Sequence, residues 1–261
     1  MDKSRIALGI IFLLLAWTVP ADGQETTGLI KELSLRPTAG FEYFKRAISW
    51  DESDEVEDIT KLKSSLFTFR LALELNQRIS LAGIFGYTLS DHGTVFNREL
   101  PLSLELSEGN TGGLLFGGEL AAMLVETGDF EIGLRGEYVF YNGKQESFEI
   151  PGLAVDGSVT TKPKWQRIHA GLQLTYIRYA SLYPFVRLAY DELWGKLKVD
   201  EEIQDLTGSQ ERTFKSRGRF NGVVGLDYEP AGGWRLRGEL SIIPNSDSVD
   251  WGVMAGLSYV F

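Results

Sequence analysis

The stretch FTFRLALEL, residues 67–75, alternates large apolar side chains with polar or small ones at every second position. A period of two places successive side chains on opposite faces of a β-strand, whereas the helical period of about 3.6 would scatter the same apolar residues around all sides. After a short turn at Asn76-Gln77, the alternation resumes through residues 79–89. The two segments therefore predict a β-hairpin with one apolar face.

The same alternation recurs along the rest of the chain. It predicts further hairpins within residues 114–140, 168–190 and 220–242, a last strand over 251–261 and a less regular first strand between about 33 and 48. Together these segments make about ten strands. Alternating leucines at residues 100–106 could form an extra strand pair, which would make twelve strands, and eight strands is the other alternative.

The connections between the strands alternate in length. Turns near residues 76, 127, 181 and 231 are tight, whereas polar links near residues 49–61, 91–112, 142–163 and 197–213 are long, and the one near 244–250 is shorter. Transmembrane barrels have short turns at one end and long external loops at the other. Residues 24–261 are therefore predicted to form one all-β domain, a closed antiparallel up-and-down transmembrane β-barrel with these links as extracellular loops and both termini on the periplasmic side.

Ionic side chains share the strand face opposite to the apolar one. An Arg at the middle of a bilayer costs about 2–4 kcal/mol, so this face must point into the lumen, where opposite charges can pair. A soluble barrel with its apolar face inward is the alternative. The predicted lumen charge network consists of Arg70, Glu74, Glu119, Arg135, Glu137, Arg167, His169, Arg187, Asp191, Arg219, Asp227, Arg235, Arg237 and Glu239.

Aromatic residues concentrate near the predicted strand ends, where the two interfaces of a bilayer select them. The belt near the tight turns contains Tyr176, Tyr183, Tyr228, Trp234, Tyr259 and Phe261, and the belt near the long loops contains Tyr87, Phe140, Trp165, Trp194, Phe220 and Trp251. Two belts favour the membrane barrel over the soluble one.

The N-terminus has the pattern of a secretory signal peptide. Lys3 and Arg5 precede an apolar segment over residues 6–19, and small residues follow it. The apolar segment is shorter than the roughly 20 residues that a membrane-spanning helix needs. We predict a cleaved signal peptide over residues 1–23, with cleavage after Ala21 or Gly23.

The last five residues, LSYVF at 257–261, end in Phe and have apolar or aromatic residues at alternate preceding positions. This ending resembles the C-terminal assembly signal of Gram-negative outer-membrane β-barrel proteins, carried here by Leu257, Tyr259 and Phe261. The resemblance implies a location in the cell outer membrane among lipid and lipopolysaccharide, and recognition by the barrel-assembly machinery. It identifies no narrower family.

Composition excludes several functions. A formal charge of −10 is unfavourable for a nucleic-acid binder, which needs a basic face for phosphate contacts. The absence of Cys removes disulfides, thiolate metal sites and thiol nucleophiles. No cofactor is expected.

Candidate chemistry is sparse. Outer-membrane proteases of the omptin type resemble this chain in strand number. They use acidic pairs and a His-Asp pair at the outer rim, and Asp91-His92 is the only candidate for such a pair in this sequence. Adjacent strand residues point to opposite faces, so the dipeptide is weak evidence for a catalytic pair. His169, on the lumen face, is interpreted as a hydrogen-bonding residue. We therefore expect no enzyme.

The first predicted outer loop is strongly acidic. Its carboxylates could hold Ca²⁺ or bridge through divalent cations to lipopolysaccharide, although it lacks the Gly and the alternating ligands of an EF-hand, and a solvated acidic loop is the default interpretation. The residues are Asp51, Glu52, Asp54, Glu55, Glu57 and Asp58.

The function expected from the sequence is therefore coarse. A ten-stranded barrel is only slightly wider than the eight-stranded kind, whose interior is filled by side chains. We expect a largely filled polar lumen, with a narrow polar channel as the alternative. The expected role is envelope structure, surface interaction or limited small-solute passage, and the competing roles are an outer-membrane hydrolase and an adhesin or receptor that binds through the long loops.

Overall fold

The computed structural model describes residues 33–50, 59–76, 78–92, 94–97, 104–107, 111–149, 157–203, 206–230, 232–246 and 248–261. The predicted signal peptide and the acidic loop lie outside these ranges. Within them, no helix is both long enough and apolar enough to cross a membrane. The fourteen strands are β1 (Leu33–Trp50), β2 (Ile59–Leu75), β3 (Ile79–Asp91), β4 (Thr94–Asn97), β5 (Leu104–Ser107), β6 (Thr111–Thr127), β7 (Phe130–Gly143), β8 (Glu146–Glu149), β9 (Gly157–Tyr176), β10 (Leu182–Ile203), β11 (Leu206–Ser216), β12 (Phe220–Tyr228), β13 (Trp234–Pro244) and β14 (Val249–Tyr259).

Ten of these strands form a closed antiparallel ring. Its order is β1, β2, β3, β6, β7, β9, β10, β12, β13 and β14, and β14 pairs with β1 from Thr38↔Ser258 to Lys45↔Trp251. The predicted barrel of about ten strands is therefore confirmed. The other strands add to this ring or stand apart from it: β8 pairs with β9, β11 pairs with β10 and β1, and β4 pairs only with β5.

The tight turns occur where the sequence predicted them. Asn76 turns the chain between β2 and β3 with a φ of 51°, and Gly128 has a φ of 57° between β6 and β7. Both lie in the left-handed region that Gly and Asn adopt most readily. Gly232 and Gly233 have positive φ values in the turn before β13. These three turns and the turn between β9 and β10 lie at one end of the ring, which we call the tight-turn end.

The predicted long links contain more β-structure than the sequence indicated. β10 continues to Ile203 and β11 begins at Leu206, so most of the predicted link 197–213 is a hairpin. β8 lies inside the link 142–163, and the β4–β5 hairpin lies inside the link 91–112. The strands thus continue past the ten-stranded ring at what we call the long-loop end.

At this end the ring narrows from ten strands to eight. The β13–β14 hairpin ends at Pro244↔Val249, and β11 takes its place beside β1, pairing from Ile48↔Ser216 to Trp50↔Phe214. The crossover occurs at Gly218, where a Cβ atom would lie 2.5 Å from Ile243 Cγ2. We call this eight-stranded part the upper ring, taking the long-loop end as the top of the barrel. It consists of β1, β2, β3, β6, β7, β9, β10 and β11.

The two faces of the wall are separated as predicted. Phe67 and Phe69 on the outer face of β2 are about half exposed, at 52% and 49%, while Leu66 on the inner face is 1% exposed. Apolar side chains also cover the outer faces of β3, β6, β12, β13 and β14. The outer apolar surface continues around the ring, as it must where acyl chains surround it.

A hydrophobic core fills the inside of the eight-stranded ring. We call it the inner core, and every member belongs to one of the eight strands of that ring. Its aromatic rings are in contact: Tyr141 and Trp165 stack at 5.3 Å, and Trp50 and Phe214 meet edge to face at 5.0 Å. The members are Phe44, Ile48, Trp50, Leu62, Leu66, Ile84, Leu115, Val139, Tyr141, Val159, Trp165, Leu193, Leu197, Val199 and Phe214.

The prediction of the aromatic belts is wrong for two residues. Trp165 is completely buried in the inner core, where its indole N–H donates to Ser90 Oγ at 3.1 Å. Tyr183 lines the lumen at the tight-turn end instead of facing outward. Both residues lie at inner-face positions of their strands, and their nearness to a strand end concealed this.

The close packing of the inner core leaves no room for a methyl group at Gly195. A Cβ atom there would lie 2.4 Å from the carbonyl oxygen of Lys164 and 2.5 Å from the ring of Phe214, whereas nothing lies within 4 Å of a Cβ atom at Gly238. We expect Gly195→Ala to lower the free energy of unfolding by about 1–3 kcal/mol, since overpacking displaces backbone and rings. Gly238→Ala is the matched control and should change it by less than about 0.5 kcal/mol. Denaturant unfolding in detergent, followed by Trp fluorescence, measures both, and equal stabilities would contradict this packing.

Candidate functional site

The ionic side chains of the lumen form one connected network below the inner core. Arg167 Nη2 donates to Glu137 Oε1 at 2.9 Å, and Arg70 Nη2 lies 3.0 Å from Glu137 Oε2. Glu119 Oε2 then accepts from Arg70 at 2.6 Å and from Arg135 at 2.8 Å. Because each carboxylate contacts two guanidinium groups, removal of one residue leaves several charges unbalanced.

The network continues across the lumen to the strands near the chain end. Arg135 Nη1 donates to Glu239 Oε1 at 3.3 Å, and Arg237 Nε donates to the same oxygen at 2.6 Å. Arg187 binds the other oxygen of Glu239, and Arg237 also lies 3.3 Å from Asp227 Oδ2. The pairs join β7, β10, β12 and β13, so the network fixes opposite sides of the wall relative to each other.

A second cluster lies where the ring changes from ten to eight strands. Arg46 is 2% exposed and donates to Asp191 Oδ1 at 2.6 Å and to the carbonyl oxygen of Gly218 at 2.9 Å. His169 Nδ1 lies 3.1 Å from Asp191 Oδ2, and Asn221 donates to that oxygen at 3.3 Å. Arg46 thus holds the crossover segment against β10, and His169 has a structural partner, as the sequence indicated for a hydrogen-bonding residue.

The structure places every predicted member of the network except Arg219 on the inner face. Arg219 is wrong: its side chain is 55% exposed and lies 3.5 Å from Glu192 on the outer face. The reason is an extra residue between β11 and β12. Ser216 and Asn221 both face inward although an even number of residues separates them, so the simple alternation fails at this point.

The network also includes side chains that the alternation did not reveal. Glu42 accepts from Arg167 at 2.9 Å, Asp250 lies 3.9 Å from Arg46, and Arg36 lies 2.6 Å from Glu74. Three of these, Arg36, Glu42 and Arg46, belong to β1, where the inner face also carries Phe44, Ile48 and Trp50. A strand that is apolar on both faces has no clear alternation, so the pattern could not assign its charged residues.

The described residues enclose cavities inside the wall. One of about 60 Å³ lies among Arg46, Glu137, Arg167, Asp191 and Glu239, below the inner core. This volume is enough for about two water molecules. Another cavity, of about 540 Å³, opens at the tight-turn end and is lined by further members of the network such as Glu119 and Arg237.

The Asp91-His92 dipeptide does not form a catalytic pair. Asp91 lies on the outer face and binds Lys63 at 3.2 Å, while His92 is fully buried against the ring of Phe214 at 5.5 Å. Burial lowers the pKa of His92 to about 4, and nearby Asp91 opposes this effect. A buried neutral imidazole of this kind packs the long-loop end of the barrel.

The proposed cation loop, residues 51–58, lies outside the described residues. Among the described residues, no group of three or more His, Asp and Glu side chains is arranged to hold a metal ion. The predicted assembly signal lies on the last strand, where Leu257 and Phe261 are exposed on the outer face. Tyr259 packs between Trp234 and Phe261, with ring centroids 5.0 and 4.7 Å apart.

Removal of Arg46 should be strongly destabilising. Arg46→Met leaves Asp191 and Asp250 buried without their cation, which costs about 3–5 kcal/mol in the free energy of unfolding. Arg178→Met is the matched control, because Arg178 is 68% exposed and its pair with Asp129 spans 3.6 Å. The control should lose less than about 1 kcal/mol. Urea unfolding of both variants in detergent tests this, and a loss of similar size in the two would show that Arg46 does not stabilise the crossover.

The buried His92 should make stability depend on pH. Its folded pKa lies below the unfolded value near 6.5, so the unfolded chain takes up a proton first and stability is lost as the pH falls from about 6.5 towards 4. We expect a loss of about 2 kcal/mol at pH 5 relative to a His92→Gln variant. Unfolding of both proteins between pH 5 and 7.5 measures the difference, and parallel curves would contradict a buried neutral His92.

Comparisons with known proteins agree on the fold. No protein-family model and no curated protein matches the chain. Among solved structures, the outer membrane protease OmpT from Escherichia coli is 12% identical with a TM-score of 0.50, covering 93% of this chain and 100% of its own. The translocator domain of the autotransporter NalP from Neisseria meningitidis is 13% identical with a TM-score of 0.44, covering 99% and 96%.

The attachment invasion locus protein Ail of Yersinia pestis is 12% identical with a TM-score of 0.34, covering 88% of this chain and 99% of its own. At such identities a likeness shows the fold and not the activity. The matched proteins include a protease, a translocator domain and an attachment invasion locus protein, so they share no single activity. The chain therefore has the fold of an outer-membrane β-barrel.

Proposed function

We propose that this protein is a non-enzymatic barrel, closed to solutes, that strengthens the envelope and presents rigid hairpins at the cell surface. The observation that carries the proposal is the inner core in the eight-stranded upper ring. An eight-stranded barrel is just wide enough for its side chains to fill the interior. A dry core in this position is a barrier to ions as well as to larger solutes.

The charge network forms a second barrier in series with the inner core. An ion that entered from the tight-turn end would meet Arg135 and Glu239 after the 540 Å³ cavity, and both groups already bind opposite charges. Passage would require these pairs to separate and the inner core to open together. Of the roles expected from the sequence, structural support and surface interaction fit this arrangement better than small-solute passage.

Surface interaction is supported by the length of the strands at the long-loop end. A transmembrane β-strand needs about 9–11 residues, whereas β9 has 20 residues and β10 has 22. The excess lies in the upper ring, which the inner core makes rigid. Rigid scaffolds that carry loops are the usual support for binding sites, so the links at this end are the proposed site of adhesion or receptor activity.

The absence of enzyme activity is part of the proposal. Asp91 and His92 lie on opposite faces of the wall, and the His169–Asp191 pair is enclosed between the inner core and the network. Neither arrangement offers an accessible base beside a nucleophile or an activated water. An omptin-like hydrolase remains the alternative function. Removal of the signal peptide and recognition of Phe261 by the barrel-assembly machinery remain predictions.

A planar-bilayer recording tests the closed lumen. We expect the purified full-length barrel to show no stepwise conductance at 100 mV in 1 M salt, while a porin with a water-filled lumen, reconstituted in the same way, conducts. Slower migration after boiling on a denaturing gel verifies that the reconstituted protein is folded. Steady, reproducible conductance steps from the folded protein would overturn the closed lumen and favour a narrow channel.

A further inference from the structure

Four lysines lie together on the outer face of the upper ring, and we call them the lysine quartet: Lys162, Lys164, Lys196 and Lys198. Lys162 is the direct partner of Lys198 in the β9–β10 ladder, and Lys164 is the direct partner of Lys196. Like charges at directly opposite positions destabilise a sheet. This arrangement is therefore unfavourable for the isolated barrel and needs compensation.

Among the described residues, only part of that compensation is present. Lys196 Nζ binds both carboxylate oxygens of Glu211 at 2.9 Å, and Lys198 Nζ binds Asp200 at 2.8 Å. In the part of the chain that the structure describes, Lys162 and Lys164 form no ion pair. Two like charges on the β9 side of the quartet therefore remain available to an external anion.

The height of the quartet on the wall indicates which anion can reach it. The outer face of β9 is apolar from Leu174 to Ile168, and the polar residue Gln166, which accepts from the Tyr138 hydroxyl at 2.6 Å, follows. Lys164 lies four residues beyond Ile168, which is about 10 Å farther along the membrane normal for a tilted strand. A lysine side chain is about 6 Å long and flexible, so the ammonium group of Lys164 can approach the lipid headgroups by snorkelling.

We propose that the lysine quartet binds the phosphate groups of lipopolysaccharide in the outer leaflet. Lys164 and Lys196 would contact the phosphates nearest the acyl chains, and Lys162 and Lys198, about 5 Å farther out, would contact phosphates of the sugar core. Phosphate binding also compensates the two like-charge pairs, which explains why they can persist in the ladder. Trp194, beside Lys196 on β10, lies at the boundary between the apolar and basic parts of this surface.

A titration with defined lipids tests the proposal. Lipid A that carries both phosphates, and the same lipid after removal of its phosphates, are titrated into the folded full-length barrel in zwitterionic detergent, with the unfolding temperature and apparent Kd as readouts. The test variant is Lys162→Gln/Lys164→Gln. The control is Arg78→Gln/Arg178→Gln, which removes the same charge at the tight-turn end.

We expect the phosphorylated lipid to raise the unfolding temperature of the wild-type protein and of the control. The Kd of the test variant should rise on the order of 30-fold, since each basic residue near an anionic surface contributes about fivefold. Without the lipid, the test variant should be at least as stable as the wild type, because a repulsion has been removed. Lys162→Arg/Lys164→Arg should retain binding, and it provides a second folded variant.

Three results would overturn the proposal. One is an unchanged Kd in the test variant, and another is equal binding of the lipid without phosphates, which would indicate acyl contacts alone. The third is an equal loss in the control, which would indicate a general charge effect. These results are independent of the conductance test, because a barrel can bind lipid phosphates whether its lumen is open or closed.

Discussion

Every backbone N–H and C=O group in the acyl region must find a partner within the protein, because lipid offers none. This constraint requires each membrane strand to have a neighbour on both sides, and the ten-stranded ring satisfies it by pairing β14 with β1. Above the bilayer the constraint is weaker, since water can bind an exposed edge. There β11 takes the place of β12, β13 and β14, and the ring closes with eight strands. The ten-stranded part of the barrel is thus suited to lipid and the eight-stranded part to water.

The contrast between lipid and water also accounts for the two layers inside the wall, which are the charge network and the inner core. Charged groups cannot face acyl chains, and the network encloses them as pairs in which each carboxylate contacts more than one guanidinium group. Such a layer is costly to desolvate, so it adds less stability than its number of ion pairs suggests. The inner core above it contributes apolar burial, which does not depend on the direction of any bond. Arg46 lies at the boundary of the two layers and contacts the strand that changes neighbours.

The alternation of residues predicted the strands, the tight turns and the outer face, because a period of two is imposed wherever one side meets lipid and the other does not. It failed where that contrast is absent. The inner face of β1 is partly apolar, so the alternation does not predict that Glu42 and Arg46 face the lumen. One extra residue before β12 reversed the orientation of Arg219. The belt prediction fails for Trp165 because the alternation alone does not reveal an apolar interior in the upper ring. The continued hairpin at 197–213 escaped prediction for a related reason, since its outer residues face water and are polar.

In any barrel, the first and last strands meet at a junction that no turn connects. Here β1 has two successive neighbours on that side, β14 from Thr38 to Lys45 and β11 from Ile48 to Trp50. Parting β1 from β14 would free only the lower portion of this junction, while β11 would still hold the upper portion. A lateral exit for a lipid or a passenger segment between the terminal strands is therefore blocked at two heights, by two strands that belong to different hairpins.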